Sequence, residues 1–155
     1  MAARRSAGIL LYRLRDGAPE VLLVHPGGPF WARKEAGAWS IPKGEHGEDE
    51  DPQACARREF EEETGTALPQ GALTELGTVR QRSGKVVTAW AAEGDLDADQ
   101  IRSNTFELEW PPRSGRMRSF PEVDRAAWFA LEAAREKLNP AQLAFLDRLL
   151  ALLRS

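Results

Sequence analysis

The sequence predicts an α/β fold in which helices cover both faces of a mixed sheet. Three observations lead there. β-friendly apolar runs precede a well-capped helix, further such runs follow it, and the chain closes on an amphipathic helical stripe. At 155 residues and 42% apolar content, the chain is long enough for one domain with a real core and short for two typical ones. Residues 1–155 are therefore read as a single domain.

Residues 6–14 and 20–24 are strand-like and flank Asp16-Gly17-Ala18-Pro19, which predicts a hairpin or two neighbouring strands. Arg4 and Arg5 read as a solvated terminus. Residues 24–29, VHPGGP, end the second strand in a loop that cannot be helical, with His25 in a structural role. The loop 30–38 follows, with two aromatics and the adjacent bases Arg33 and Lys34. It either lies beside a substrate, or Trp31 packs on the sheet while the bases are solvated. Residues 39–42 return to a short strand.

Asp51-Pro52 is a helix start, an acceptor at the N-cap followed by a ring with helical φ, and Thr64-Gly65 is the matching stop. Beyond it, residues 77–81 and 85–91 flank the hairpin signal Arg82-Ser83-Gly84. Residues 93–100 read as an acidic loop. Phe106, Leu108 and Trp110 then alternate with Glu107 and Glu109 as a half-buried strand would. Residues 111–118 should form an exposed loop whose Arg113, Arg116 and Arg118 either hold phosphates or are merely solvated. Asn139-Pro140 starts a second helix, with Leu143, Leu146, Leu149, Leu150 and Leu153 as its core stripe.

Charge is unevenly placed. Residues 43–63 hold nine acids and three bases, a net −6 in a chain of net −3, so the remainder is mildly basic. That pattern suits an anionic small molecule bridged by cations, whereas a duplex nucleic-acid binder needs a broad basic face. The longest aliphatic run near the N-terminus, Ile9-Leu10-Leu11, is too short for a signal core or a membrane span, so a cytoplasmic protein without a membrane partner is expected. The lone Cys55, between Ala54 and Ala56, reads as a small apolar filler.

The acidic stretch is where chemistry concentrates. Glu59, Glu62 and Glu63 stand at i, i+3 and i+4, which puts three carboxylates on one face of the predicted helix. Like charges repel at that spacing, and the negative end of the helix dipole lies at the same turn. A hard cation, Mg²⁺ or Mn²⁺, would offset the repulsion. The alternative is a solvated acidic helix end. A calcium loop at residues 49–51 is excluded, because no glycine sits at its turn position and no ligand series follows.

The order of residues adds to this. Gly44, five residues, Glu50, seven residues, then Arg58-Glu59-Phe60-Glu61-Glu62-Glu63-Thr64-Gly65 resembles the signature of the Nudix hydrolases, spanning residues 44–66. Thr66 departs from the aliphatic residue that the pattern prefers, a position of packing and not of ligands. Residues 120–129 resemble the last strand that follows the acidic helix in such chains.

The resemblance implies the Nudix α/β/α sandwich and hydrolysis of a nucleoside diphosphate linked to another group. It implies Glu59, Glu62 and Glu63 as metal ligands and catalytic carboxylates, with the backbone at Gly44 nearby. Arg58 would orient a carboxylate and Glu50 would support the loop. The general base stays open between a glutamate of the signature and a later carboxylate, for which Glu107, Glu109 and Glu122 are candidates. Pro42-Lys43-Gly44 is the form seen in family members that cut dinucleoside polyphosphates and diphosphoinositols, and Lys43 would then reach a terminal phosphate. Lys43, Arg33, Arg113 and Arg116 are thus the candidate substrate contacts. Ordinary or oxidised nucleoside triphosphates remain an alternative substrate. A non-catalytic nucleotide-binding module is the alternative role, against which the complete carboxylate set argues.

Overall fold

The structure, a computed structural model, describes residues 4–68 and 71–155. Strands β1 (Arg5–Arg15) and β2 (Ala18–Pro26) form the expected hairpin. Its two-residue turn has Asp16 at φ 53° and Gly17 at φ 81°, the left-handed pair whose twist matches that of the flanking strands. Pairing runs from Arg15↔Ala18 to Tyr12↔Val21. Beyond that point the two strands part, and the chain at 39–45 enters the gap.

The intruding chain is bonded on both sides. Ser40 exchanges backbone hydrogen bonds with Val24 at 2.8 and 2.9 Å, the Ile9 amide donates to the Pro42 carbonyl at 3.1 Å, and strand β3 (Lys43–Glu45) pairs antiparallel with Ser6–Gly8 of β1. A Cβ on Gly8 would lie 2.6 Å from the Pro42 oxygen, so only glycine admits the crossing chain. The strand expected over 39–42 is thus reduced to single bridges at Trp39 and Ser40, and regular pairing begins at Lys43. Pro42 has no N–H to give a ladder.

Helix α1 (Pro52–Thr64) begins as the sequence predicts, with the Asp51 carboxylate accepting from the Ala54 amide at 2.9 Å, and ends on Gly65 in the left-handed conformation. Strands β4 (Thr74–Arg80) and β5 (Val86–Glu93) form the second hairpin. After a 3₁₀ turn at Ala98–Gln100 come β6 (Thr105–Glu109) and β7 (Met117–Pro121), which pair with each other as a separate two-stranded sheet. Strand β8 (Val123–Ala130), helix α2 (Leu131–Lys137) and helix α3 (Leu143–Arg154) complete the chain. The main sheet runs β4-β5-β1-β2-β8, with β3 against β1; β1 and β5 are parallel and the other pairs antiparallel. The sheet is mixed, as expected.

Alternation along the central strands sorts the core into two layers. Ala7, Ile9, Leu11 and Leu22 face α1 through Cys55, Ala56 and Phe60. Leu10, Val21 and Leu23 face the opposite layer, with Phe145, Leu146 and Leu149 of α3. Strands buried on both faces must be apolar at successive positions, which is why residues 7–11 and 21–24 read as continuous runs. Phe60 is fully buried, a burial that stabilises by roughly 1.5–3 kcal/mol. The result is an α/β/α sandwich. No helix among the described residues is long and apolar enough to cross a membrane.

Candidate active site

The split between β1 and β2 brings β3 over the C-terminal half of α1. The Glu63 carboxylate accepts the Lys43 amide at 3.1 Å, and Glu59 lies so close to Gly44 that a Cβ there would be 1.9 Å from its Oε1. Arg58 pairs with Glu50 and also reaches Glu59 at 3.4 Å and Glu62 at 3.8 Å. One guanidinium thus ties the loop before the helix to two of its carboxylates. The Cys55 thiol faces the Gly44 carbonyl at 3.5 Å, and burial, then Glu50, pushes it up to about 11. It is a buried filler with no nucleophilic character at neutral pH.

Crowding marks the carboxylates. Glu59 is pushed up to about 7, first by burial and then by its contact with Glu62, and Glu63 to about 8, first by burial and then by Glu59. Both causes penalise the ionised form. Lys43 is half-buried beside them and its ammonium is held below its ordinary range, by burial first and Lys85 second.

A fourth carboxylate enters from β8's approach. The Arg102 and Asn104 amides cap the Thr64 and Glu62 carbonyls at 2.8 and 2.9 Å, and the Glu122 amide in turn donates to the Asn104 carbonyl at 2.8 Å. This chain of bonds fixes Glu122 against the end of α1. Its carboxyl is raised by burial and then by Glu62. Glu122 and Glu63 line one cavity of about 140 Å³ with Pro26, Ser40, Lys43 and Val123. Of the three later carboxylates considered from sequence, it alone lines this cavity. Glu109 instead accepts the Arg113 and Gly115 amides in the β6–β7 turn, and Glu107 is exposed on β6.

The basic candidates scatter. Lys43 lies in the cavity wall, whereas Arg33 is exposed in the β2–β3 connection and Arg113 and Arg116 in the β6–β7 turn. Arg118, expected in a loop, is part of β7 and stacks over Phe120 with its Cζ 5.5 Å from the ring centroid. One residue that holds the site in place, Gln142, was not legible. Gln142, fully buried, accepts the Ile41 amide at 3.0 Å and donates to Ser40 at 3.0 Å. His25 sits between Asp124 at 2.8 Å and the Lys34 carbonyl at 2.6 Å, the structural role expected for it.

A larger cavity of about 470 Å³ opens along the free edge of β8, with Trp39, Asp99 and Phe129 in its wall. No α1 carboxylate lines it, and an ion-pair group of Glu35, Arg125 and Lys137 occupies one side. Chemistry, not size, places the candidate site at the smaller one.

Comparison with known proteins agrees with this architecture. The family model described as NUDIX domain matches residues 2–149, and the chain belongs to that family. Similar solved structures include an Ap4A hydrolase from C. elegans in a binary complex, at 23% identity and TM-score 0.70 over 98% of each chain. The NUDIX domain of Shewanella oneidensis NrtR complexed with ADP ribose gives 20% identity and TM-score 0.68, over 99% of this chain and 90% of that one. RenU, a Nudix hydrolase from M. smegmatis, gives 24% and 0.62, over 99% and 88%. No curated protein matches the chain significantly.

Proposed function

We propose that the chain hydrolyses a pyrophosphate linkage in a nucleoside diphosphate derivative, with dinucleoside polyphosphates as the leading substrate class. The observation that carries this is the placing of Glu63 at the Lys43 amide and of Glu59 against Gly44, with Glu62 in contact with Glu59 and with Glu122 across the cavity that Glu63 lines. Ap4A and ADP ribose, associated with two of the similar structures, share an adenosine joined through at least a diphosphate. Pro42-Lys43-Gly44 is the sequence feature behind the leaning to dinucleotides.

The donor set fits Mg²⁺ or Mn²⁺, because crowded carboxylates whose ionised forms repel are relieved by a hard divalent ion. Among the described residues no three such side chains are already gathered as ligands. Glu63 is turned to the Lys43 amide, and Glu59 and Glu62 meet each other, so ligation needs these side chains to turn. A bound divalent ion neutralises phosphate charge and acidifies water.

The chain's own groups do the rest. Arg58 holds Glu59 and Glu62 in place, and Glu50 holds Arg58. Glu122, whose carboxyl lines the cavity and is raised above its ordinary range by burial and then by Glu62, is suited to take the proton from the attacking water. Lys43 offers its ammonium to the phosphate in the same cavity. A panel of dinucleoside polyphosphates, nucleoside triphosphates, nucleotide sugars and diphosphoinositols, incubated with Mg²⁺ and read by chromatographic separation of the products, tests the reading. A dinucleoside polyphosphate should rank first. Nucleoside triphosphates ahead of every dinucleotide by about tenfold would overturn the substrate assignment.

A further inference from the structure

The β6–β7 hairpin stands apart from the main sheet, and its two faces differ. Pairing Phe106↔Phe120 and Leu108↔Arg118 puts Phe106, Leu108 and Phe120 on one face with Arg118, and the same alternation carries Trp110 and Arg116 to that side. The other face carries Glu107 and Glu109. A basic and aromatic face backed by an acidic one is not what a solvated hairpin requires.

Phe30, from the β2–β3 connection, meets Trp110 edge-to-face with ring centroids 5.5 Å apart and planes at 84°, yet remains 60% exposed. That geometry leaves ring surface free to stack. Trp31, beside it, is 41% exposed with the Lys34 ammonium 5.1 Å from its ring. Large apolar groups left open together mark a binding surface more often than chance exposure.

This face is continuous with the cavity. The Gly27 amide donates to the Glu122 carbonyl at 2.9 Å, and Gly28 approaches Phe106 so closely that a Cβ would be 2.9 Å from its ring. Pro26 and Glu122, the residues next to these contacts, line the cavity itself. From that base the hairpin reaches about 15 Å outward at the usual rise per strand residue. A ligand touching both Glu63 and Trp110 must therefore be extended, and Arg116 and Arg118 on the same face favour an anionic one.

We propose that Phe30 and Trp110 form the subsite for the aromatic base of a nucleotide whose phosphates run past Arg116 and Arg118 into the cavity. The inference rests on the pyrophosphohydrolase reading for the chemistry at α1, and not for the subsite itself. Stacking on aromatic side chains accepts any base, because every base has a π-face, and guanidiniums beside it match phosphate. The subsite thus selects substrates by the presence of a base at a distance from the cleaved linkage.

The experiment uses the full chain with Phe30→Ala and Trp110→Ala, and with Phe30→Tyr and Trp110→Phe as conservative partners whose folding is checked by circular dichroism. KM for a dinucleoside polyphosphate should rise about tenfold in each alanine variant with kcat nearly unchanged, as for an interaction common to ground and transition states. The conservative variants should stay within about threefold of wild type. Inhibition by inorganic tripolyphosphate, which carries charge and no base, should not change. Unaltered KM in both alanine variants overturns the subsite. A separate arm measures ADP binding by calorimetry: ADP bound by wild type, weakened by both alanine changes, in a protein that cleaves no nucleotide would sink the hydrolase reading and leave the subsite standing. Absence of both ADP binding and nucleotide cleavage removes both. A wild-type dimer in sedimentation that Phe30→Asp dissociates, with KM unchanged, would assign the face to a second copy and overturn the proposal.

Discussion

Replacing Gly44 with alanine should separate the site from the fold. The new Cβ would lie 1.9 Å from Glu59 Oε1 and 2.1 Å from its Cδ, where real Cβ contacts do not fall below 3.0 Å. The carboxylate must therefore move by about 1 Å, and it can, because the clashing atoms are the far end of a flexible side chain. Misplacement by 1 Å is enough to cost about 10²-fold in rate. Gly44→Ala should lower kcat by about that factor while the melting temperature by circular dichroism changes little. Two neighbours are controls. Gly47→Ala meets nothing within 4 Å and should alter neither quantity. Gly8→Ala meets the Pro42 backbone oxygen at 2.6 Å, which cannot step aside, and should destabilise by about 1–3 kcal/mol through overpacking. Wild-type kcat in Gly44→Ala would refute the reasoning that catalysis depends on the space that Gly44 leaves for Glu59.

Glu62→Gln and Glu63→Gln should each lower turnover by about 10²-fold or more, since even indirect partners of metal ligands cost 10–100-fold; near-normal rates in both would sink the ligand assignment. Their melting temperatures without metal should hold or rise, because repulsion with Glu59 falls. Glu35, held down to about 2 first by Arg125 and then by Lys137, has a folded pKa below its unfolded one. Its stabilisation is therefore present above the ordinary carboxylate pKa and lost as pH falls through about 2. The melting-temperature gap between wild type and Glu35→Gln should close across that window, and a gap independent of pH would count against the ion pair. Among single alanine variants of Arg113, Arg116 and Arg118, at least one should raise KM with kcat nearly unchanged; wild-type constants in all three and in their combination would strike the hairpin arginines from the site.

The parts of the fold that the sequence disclosed are those governed by local chemistry. The Asp51-Pro52 start and Gly65 stop of α1, the Asp16-Gly17 turn and the apolar runs of β1 and β2 each rest on residues near one another in the chain. Helix α2 escaped notice because it is short, has no side-chain cap, and buries only Ala134 fully, too little for a periodic stripe. Strand β7 was hidden for a different reason. Arg116-Met117-Arg118 within a segment of Pro, Ser and Gly carries no alternation of its own, and its pairing is decided by β6 across the turn.

The site divides along the same line. Spacing on a single helix was enough to put Glu59, Glu62 and Glu63 on one face, because the α-helix fixes their angles whatever surrounds it. Glu122 needed the fold. Three acidic candidates after the helix look alike in sequence, and Glu122 alone of them lines the cavity, held there by contacts at long range: Asn104 is tied to α1 by its amide and to Glu122 by its carbonyl. Gln142 makes the same point from the opposite layer. It holds Ser40 and Ile41 from more than a hundred residues away, so the strand carrying Lys43 and Gly44 to the carboxylates is anchored on one side by β1 and on the other by the start of α3. A helix can present three carboxylates by itself. Closing a cavity beside Glu63 takes the split between β1 and β2, and that split depends on Gly8 having no side chain where Pro42 crosses.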